Sequence, residues 1–264
     1  AANNELRRDF DPVSGICRGW LIEEQRSNIS LNSEDGAGWV AAGVTPPTVS
    51  NGISVHGLNA CSISFNSSSQ AGFTGCRAVR NSETSYRHSI TIGNSYAYQC
   101  LVSLSRPLTG SERISVYWTG ASGSSEFFID ASSSSGFVGR FSKVTNTLTP
   151  VANGTNYPVV YLASPLISGL TVWVTRFQAE VGGASTSYIP TVSGVVSRSG
   201  DVVQILGSGF NSFFNQLEGT LITQARQTET LGSVKCHASA NDGTTQNRIM
   251  LYSAGADASV LISS

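Results

Sequence analysis

The segment Leu170 to Thr191, LTVWVTRFQAEVGGASTSYIPT, constrains the fold more than any other stretch of the chain. Trp173, Thr175, Phe177, Ala179 and Val181 fall on one parity and Arg176, Gln178 and Glu180 on the other, the alternation of a strand that buries one face. This reading places the Trp173 ring in the core. Gly182 and Gly183 end the strand, and Pro190, which lacks a backbone donor and holds Ile189 extended, sends the chain out along a fixed path. A core strand needs neighbours, and the same period recurs through Tyr86, His88, Ile90 and Ile92, through Tyr96, Tyr98, Cys100, Val102 and Leu104, through Ile114, Val116 and Trp118, and at Phe127 and Ile129. Further strands are expected near 53–58, 61–65, 137–141 and 157–163. Asn66-Ser67-Ser68-Ser69, Arg106-Pro107, Gly120 to Ser125, Ser132 to Gly136 and Asn153-Gly154 supply the turns between them. The predicted class is all-β: an antiparallel jelly-roll-like β-sandwich over residues 1–195, then a linker and a partial second β unit over 196–264.

Charge narrows the list of partners. Charged residues are 12% of the chain, the net charge is −1 and no basic cluster exists, so nothing draws in a phosphate backbone and nucleic acid is not expected as a partner. No apolar run approaches the roughly 20 residues of a membrane-spanning helix, so membrane insertion is not expected either. The five cysteines, Cys17, Cys61, Cys76, Cys100 and Cys236, contain no C-x-x-C spacing, which argues against a zinc or thioredoxin-like site. They read as buried thiols, with a Cys61 to Cys76 disulfide as the alternative.

Catalytic and metal constellations are equally sparse. His56, His88 and His237 lack metal-ligand spacing, and His88 shares parity with core residues, as a hydrogen-bonded core histidine would. No G-x-S-x-G elbow, H-E-x-x-H helix or phosphate-cradling loop is present. Glu23-Glu24 and Glu34-Asp35 are the obvious carboxylate pairs, yet adjacent strand residues point to opposite faces and cannot flank one glycosidic bond. No catalytic residue, metal ligand or cofactor is therefore expected. Glu23, Glu24 and Arg26 read as structural ion pairs, and Asp242-Gly243 and Asp257 as solvated turn residues. Sugar recognition needs exposed rings, and two positions fit: Trp39, just after the turn Gly36 to Gly38, and Tyr117, opposite in parity to Val116 and Trp118. The alternatives are a Trp39 lid on the sandwich end and a Tyr117 packed on a neighbouring subunit.

Taken as strings, Trp173, Phe177-Gln178-Ala179-Glu180, Thr186-Ser187-Tyr188-Ile189-Pro190-Thr191 and Arg198…Asp201 resemble the W…Q-x-E…T-S-Y-I-P-T…R…D signature that closes a carbohydrate-binding-like β-sandwich module in bacteriophage tail-fibre, tail-spike and head-fibre proteins. Leu21-Ile22-Glu23-Glu24, Arg26, Asn28, Glu34-Asp35 and Trp39 resemble the opening of the same module, with Trp20 and Ser27 as departures and Gly36 where the family has Phe. Glu218-Gly219-Thr220-Leu221 resembles the start of the concanavalin-like lectin domain that often follows, though too little chain remains for a whole one. The resemblance implies a non-enzymatic virion protein, a head or tail fibre or decoration, displaying a glycan-recognition module for host attachment. It implies assembly in the bacterial cytoplasm with other virion proteins, and a homo-oligomer, most often a trimer. Contacts are expected after Gly209, where Phe210, Phe213 and Phe214 have little chain to cover them. A secreted carbohydrate-active enzyme, or its accessory module, is the alternative class.

Overall fold

The computed structural model describes residues 7–10, 16–34, 36–80, 86–120, 123–201, 203–213, 220, 222–223, 235–241, 248–254 and 257–263. Two strands, β1 (Arg7–Phe10) and β2 (Cys17–Leu21), form an antiparallel pair near the N-terminus. The chain continues through β3 (Arg26–Asn28), β4 (Trp39–Ala42), β5 (Thr48–Val55), β6 (Leu58–Phe65), β7 (Arg77–Arg80), β8 (His88–Ile90), β9 (Tyr96–Leu104), β10 (Arg113–Gly120) and β11 (Gly123–Asp130). It then forms β12 (Ser142–Leu148), β13 (Gly154–Leu162), β14 (Leu170–Val181) and β15 (Val196–Arg198). A short helix, α1 (Gly207–Asn211), precedes the antiparallel sheet of β16 (Lys235–Asn241), β17 (Arg248–Ala254) and β18 (Asp257–Ser263). Among the described residues no helix is long and apolar enough to cross a membrane.

The protein is all-β, as its periodicity predicts. Residues 23–200 make one compact unit, while 1–22 group with 201–264 in another. The Glu218 to Leu221 string, Phe214 and Asp242-Gly243 lie wholly or largely outside the described residues.

In the sandwich, a six-stranded sheet runs β11-β10-β13-β7-β4, with β8 also paired to β13, and faces a five-stranded sheet ordered β12-β9-β14-β6-β5. Ile114, Val116 and Trp118 of β10 and Val160 and Leu162 of β13 line one side of the core; Tyr98, Cys100 and Val102 of β9 and Val172 and Val174 of β14 line the other. Tyr98 stacks on Trp118 across the gap, with centroids 5.3 Å apart and planes within 25°.

The organising strand departs from its reading at one place. Leu170, Val172 and Val174 point inward, then the pairing with β9 slips between Thr175 and Gln178, and Phe177 and Ala179 point inward instead. Arg176 sits in this bulge with a left-handed φ of 55°. One extra residue inverts the parity of everything before it. Trp173 is consequently on the outer face between Ser62 and Ser103, only half-buried, and is not a core ring.

Two further expectations change. Cys61 and Cys76 form no disulfide; Cys61, Cys76 and Cys100 are buried thiols, while Cys17 and Cys236 are exposed. Burial pushes the Cys61 thiol up to about 12, which makes it inert. His88 is buried as expected, but neither ring nitrogen has a hydrogen-bond partner among the described residues. Burial, with the nearby Arg80 charge, pushes His88 down to about 3 and keeps the ring neutral.

The turn between β9 and β10 is locked by charge. Arg106 donates to both oxygens of buried Glu112 at 2.7 Å, and the carboxylate also accepts from the backbone of Thr109 at 2.8 Å and of Ile167 at 2.7 Å. Arg106 and these amides hold the Glu112 carboxyl down to about 2 against an ordinary value of 4.5. A folded value below the unfolded one stabilises the fold above the unfolded value, and the gain is lost as pH falls through the folded one. Glu112→Gln is expected to cost on the order of 3 kcal/mol at neutral pH and to flatten the acid limb of the stability curve. Urea melts from neutral pH down to about 2 read both effects.

Candidate functional site

The outer faces of the two sheets differ in what covers them. On the five-stranded sheet, Gln99, Ser103, Gln178 and Glu180 point outward yet are at most 3% exposed. The segment after β14 turns back over Gln99, Gln178 and Glu180, while Ser103 donates to the Phe137 carbonyl at 3.1 Å. Gln178 accepts from the Ile189 amide at 2.6 Å and donates to the Ser187 carbonyl at 3.3 Å; Glu180 accepts from the Thr186 amide at 2.8 Å and from its hydroxyl. Asn28 ties β3 to both layers: its amide nitrogen donates to the carbonyls of Phe177 at 3.2 Å and Ile189 at 2.7 Å, and its oxygen accepts from the amides of Ser30 at 2.9 Å and Ala179 at 3.1 Å. Ser33 and Thr191 exchange further bonds, and Tyr188 meets the Ser33 hydroxyl at 2.5 Å.

These partners explain the string Q-A-E…T-S-Y-I-P-T physically. It is a clasp in which Gln178 and Glu180 satisfy backbone groups of the returning segment, and the hydroxyls of Thr186, Tyr188 and Thr191 tie that segment to Glu180, Ser33 and Ser30. Glu23 and Glu24 take part, as expected of structural ion pairs: Glu23 pairs with Arg198 and accepts from the Ser187 amide at 2.6 Å, while Arg26 pairs with Glu24 and donates to the Val181 carbonyl. Burial works against the Glu23 charge, but Arg198 and Ser187 outweigh it and hold the carboxyl below its ordinary value. Gly36 fits here too. It is buried with φ of 59° against the Ala60 backbone, where a Cβ would collide with the carbonyl, so the Phe of the resembled module has no room.

On the outer face of the six-stranded sheet Val159 and Ser115 are fully buried and Val79 is 5% exposed, while the aromatic side chains beside them are half-buried. Cross-strand register places Glu126, Tyr117, Val159, Val79 and Val40 in one row, and Phe128, Ser115, Tyr161 and Arg77 in the next. Phe73, from the turn before β7, meets Tyr117 at 5.5 Å and Tyr161 at 5.7 Å, both edge to face, and the two tyrosines meet at 6.0 Å. The Arg77 guanidinium lies 4.6 Å from the Phe73 ring and that of Arg113 lies 4.1 Å from Phe128. Tyr161 and Ser115 both donate to Oε1 of Glu126, the latter at 2.6 Å, which leaves Oε2 open to another donor. Burial and this carboxylate push the Tyr161 hydroxyl up to about 12, so it remains a proton donor. Phe73, Tyr117 and Tyr161 are half-buried and Phe128 is 38% exposed.

Of the two rings read as candidates from sequence, Tyr117 stands at the centre of this cluster. Trp39 does not offer a face to ligand: it is 2% exposed on the core side of β4, 5.4 Å from Phe177. Its turn does not lift it outward, because β4 pairs with β7 directly after Gly38 and fixes its parity. Tyr161 was legible from the alternation Tyr157, Val159, Tyr161. Phe73 and Glu126 carry no sequence signal, since only the tertiary fold brings a turn residue and an edge-strand carboxylate beside Tyr117. Among the described residues, no group of His, Cys, Asp and Glu could hold a metal ion.

This chain is thus an antiparallel β-sandwich with a clasp over one sheet and a cluster of half-buried aromatic rings on the outer face of the other. No protein-family model and no curated protein matches it. Among solved structures it is similar to the N-terminal cellulose-binding domain of Cellulomonas fimi β-1,4-glucanase C, at 17% identity and TM-score 0.37 over 61% of this chain and 97% of that one. It is similar at 13% identity and TM-score 0.36 to a Clostridium thermocellum xylanase fragment complexed with xylohexaose, over 64% of this chain but only 30% of that one. A tripod from the baseplate of bacteriophage Tuc2009 matches at 9% identity and TM-score 0.33, over 92% of this chain and 98% of that one.

Proposed function

We propose that the chain is a non-enzymatic glycan-recognition protein of a tailed-phage virion, part of a head or tail fibre or decoration, that contacts host surface sugar through Tyr117 and its neighbours. The cluster of half-buried rings on the outer face of the six-stranded sheet carries this reading. Phe73 is an apolar ring and Tyr117 and Tyr161 are apolar bodies with polar tips, suited to the apolar face and hydroxyl rim of a pyranose, and Arg77, Arg113 and Glu126 stand beside them as donors and acceptor. Glycoside hydrolysis needs two carboxyl groups within about 5 to 10 Å. Along β11 the next outward carboxylate after Glu126 is Asp130, about 13 Å away by strand rise, and its side chain is committed to Ser132 and Ser133. The virion context is supported by the residues of the clasp, which are those of the resembled phage module. An accessory module of a secreted carbohydrate-active enzyme would use the same face.

Affinity electrophoresis through gels containing bacterial surface polysaccharides and plant glucans and xylans tests the reading. The full chain is expected to be retarded by at least one, and Tyr117→Ala and Tyr161→Ala to weaken that retardation about tenfold or more while still melting cooperatively above the assay temperature. Retardation by none, or equal retardation of the variants, would contradict it. Release of reducing sugar abolished by Glu126→Gln would overturn the non-enzymatic part.

Assembly as a homo-oligomer, with a trimer favoured, is supported by exposed apolar side chains after the sandwich: Ile205, Leu206 and Phe213 are 58%, 67% and 63% exposed. Light scattering of the full chain at micromolar concentration is expected to give a multiple of the 27.8 kDa chain mass. A monomer unchanged by deleting residues 210–264 would exclude a tail-mediated oligomer.

A further inference from the structure

The bulge that inverts β14 also builds a second, unrelated feature. Arg176 holds a left-handed backbone that a long side chain adopts only at a cost, and no glycine has replaced it. The strain re-aims its guanidinium across the outer face of the five-stranded sheet. There Arg176 and Lys143 line one cleft of about 110 Å³ with Gln99, Leu101, Thr186 and Tyr188. The Arg176 guanidinium lies 5.3 Å from the Tyr188 ring, and on its other side Nε faces Glu34 at 3.7 Å in an exposed, weak pair. Its terminal nitrogens and the Lys143 ammonium have no hydrogen-bond partner among the described residues.

Gln99 is the second observation, independent of the cations. It is 3% exposed, and its Nε2 donates to the Thr186 carbonyl at 3.2 Å, which fixes the orientation of the amide. Its Oε1 is then a buried acceptor with no donor. An unpaired buried acceptor is costly, and a ligand hydroxyl satisfies it. Two cations beside one orphaned acceptor match a carboxylate flanked by a hydroxyl group.

We propose that this cleft is a second binding site, selective for the carboxylate-bearing edge of an acidic sugar such as a uronic acid, with Arg176 and Lys143 on the carboxylate and Gln99 accepting from a ring hydroxyl. None of its residues lies on the six-stranded sheet, so it stands or falls separately from the aromatic face.

The test is an NMR titration of the full chain with glucuronate, glucose and acetate in parallel. Glucuronate is expected to shift the amides of Gln99, Leu101 and Arg176 saturably, with glucose and acetate at least tenfold weaker and the glucuronate affinity falling with salt. Arg176→Gly relieves the left-handed strain, so it is expected to melt no lower than the parent while losing glucuronate binding tenfold or more; Lys143→Gln gives a smaller loss. Equal response to glucose removes the carboxylate selectivity and overturns the proposal. Equal response to acetate reduces the site to a simple ion site and overturns it too, as does unchanged binding in Arg176→Gly.

Discussion

Arg80→Ala is expected to lower the unfolding free energy by about 4 to 5 kcal/mol, the largest effect of any single substitution considered. Arg80 is fully buried, an unusual place for a guanidinium. It earns that place by hydrogen bonding to three carbonyls of the chain between β3 and β4: Ala37 at 2.9 Å, Leu31 at 3.3 Å and Asn32 at 2.5 Å. Its charge also lies 4.6 Å from the Tyr86 ring and 5.1 Å from Phe177. Truncation leaves those carbonyls without their donor and opens a large void beside Trp39 and Phe177. Arg80→Lys keeps the charge but cannot fork to three acceptors, so it is expected to recover less than half of the loss. Denaturant melts with an unchanged slope check both variants; a loss below about 1 kcal/mol for Arg80→Ala would show that the loop holds itself.

Asn28→Ala is expected to cost about 3 to 4 kcal/mol, because one side chain satisfies two carbonyls and two amides that belong to three different segments. Asn28→Asp is nearly isosteric but replaces the donor with a carboxylate facing the carbonyls of Phe177 and Ile189, so it is expected to be at least as damaging at neutral pH. Hydrogen exchange adds a local readout. The amides of Ser30, Ala179 and Ile189 should lose protection in Asn28→Ala ahead of the β10 and β13 core, since the clasp opens before the sandwich does.

The class of fold was legible because a two-residue period of apolar residues survives in β9, β10 and β11, whose inner faces pack in the core between the two sheets. It failed inside β14, where alternation alone cannot register an extra residue whose left-handed φ is borne by Arg176 and not by glycine. Trp173 was misplaced for that reason. The charged opening Glu23 to Arg26 was readable as structural, but its true partners, Arg198 and the 181–187 backbone, are far away in the chain. Arg80 gave no signal at all, since a basic residue on an otherwise apolar strand reads as its solvent side. At the aromatic cluster, Tyr117 could be found by parity, while Phe73 and Glu126 could not, because their meeting depends on tertiary register. Trp39 was misread because proximity to a glycine turn says nothing about which way the next strand faces.

The resembled phage signature and the rings proposed to meet sugar occupy opposite sides of the sandwich, so one describes how the module is closed and the other what it would touch. The central claim is that neutral glycan lands on the face of Tyr117 and Tyr161. Amide and aromatic shifts of the labelled chain, followed during titration with neutral oligosaccharides cut from the polysaccharide that retards it, test this most directly. The expected result is saturable change at Arg77, Tyr117, Val159 and Tyr161 with the clasp at 178–191 unmoved; changes confined to the clasp or the loops, or none on the six-stranded sheet, would contradict it.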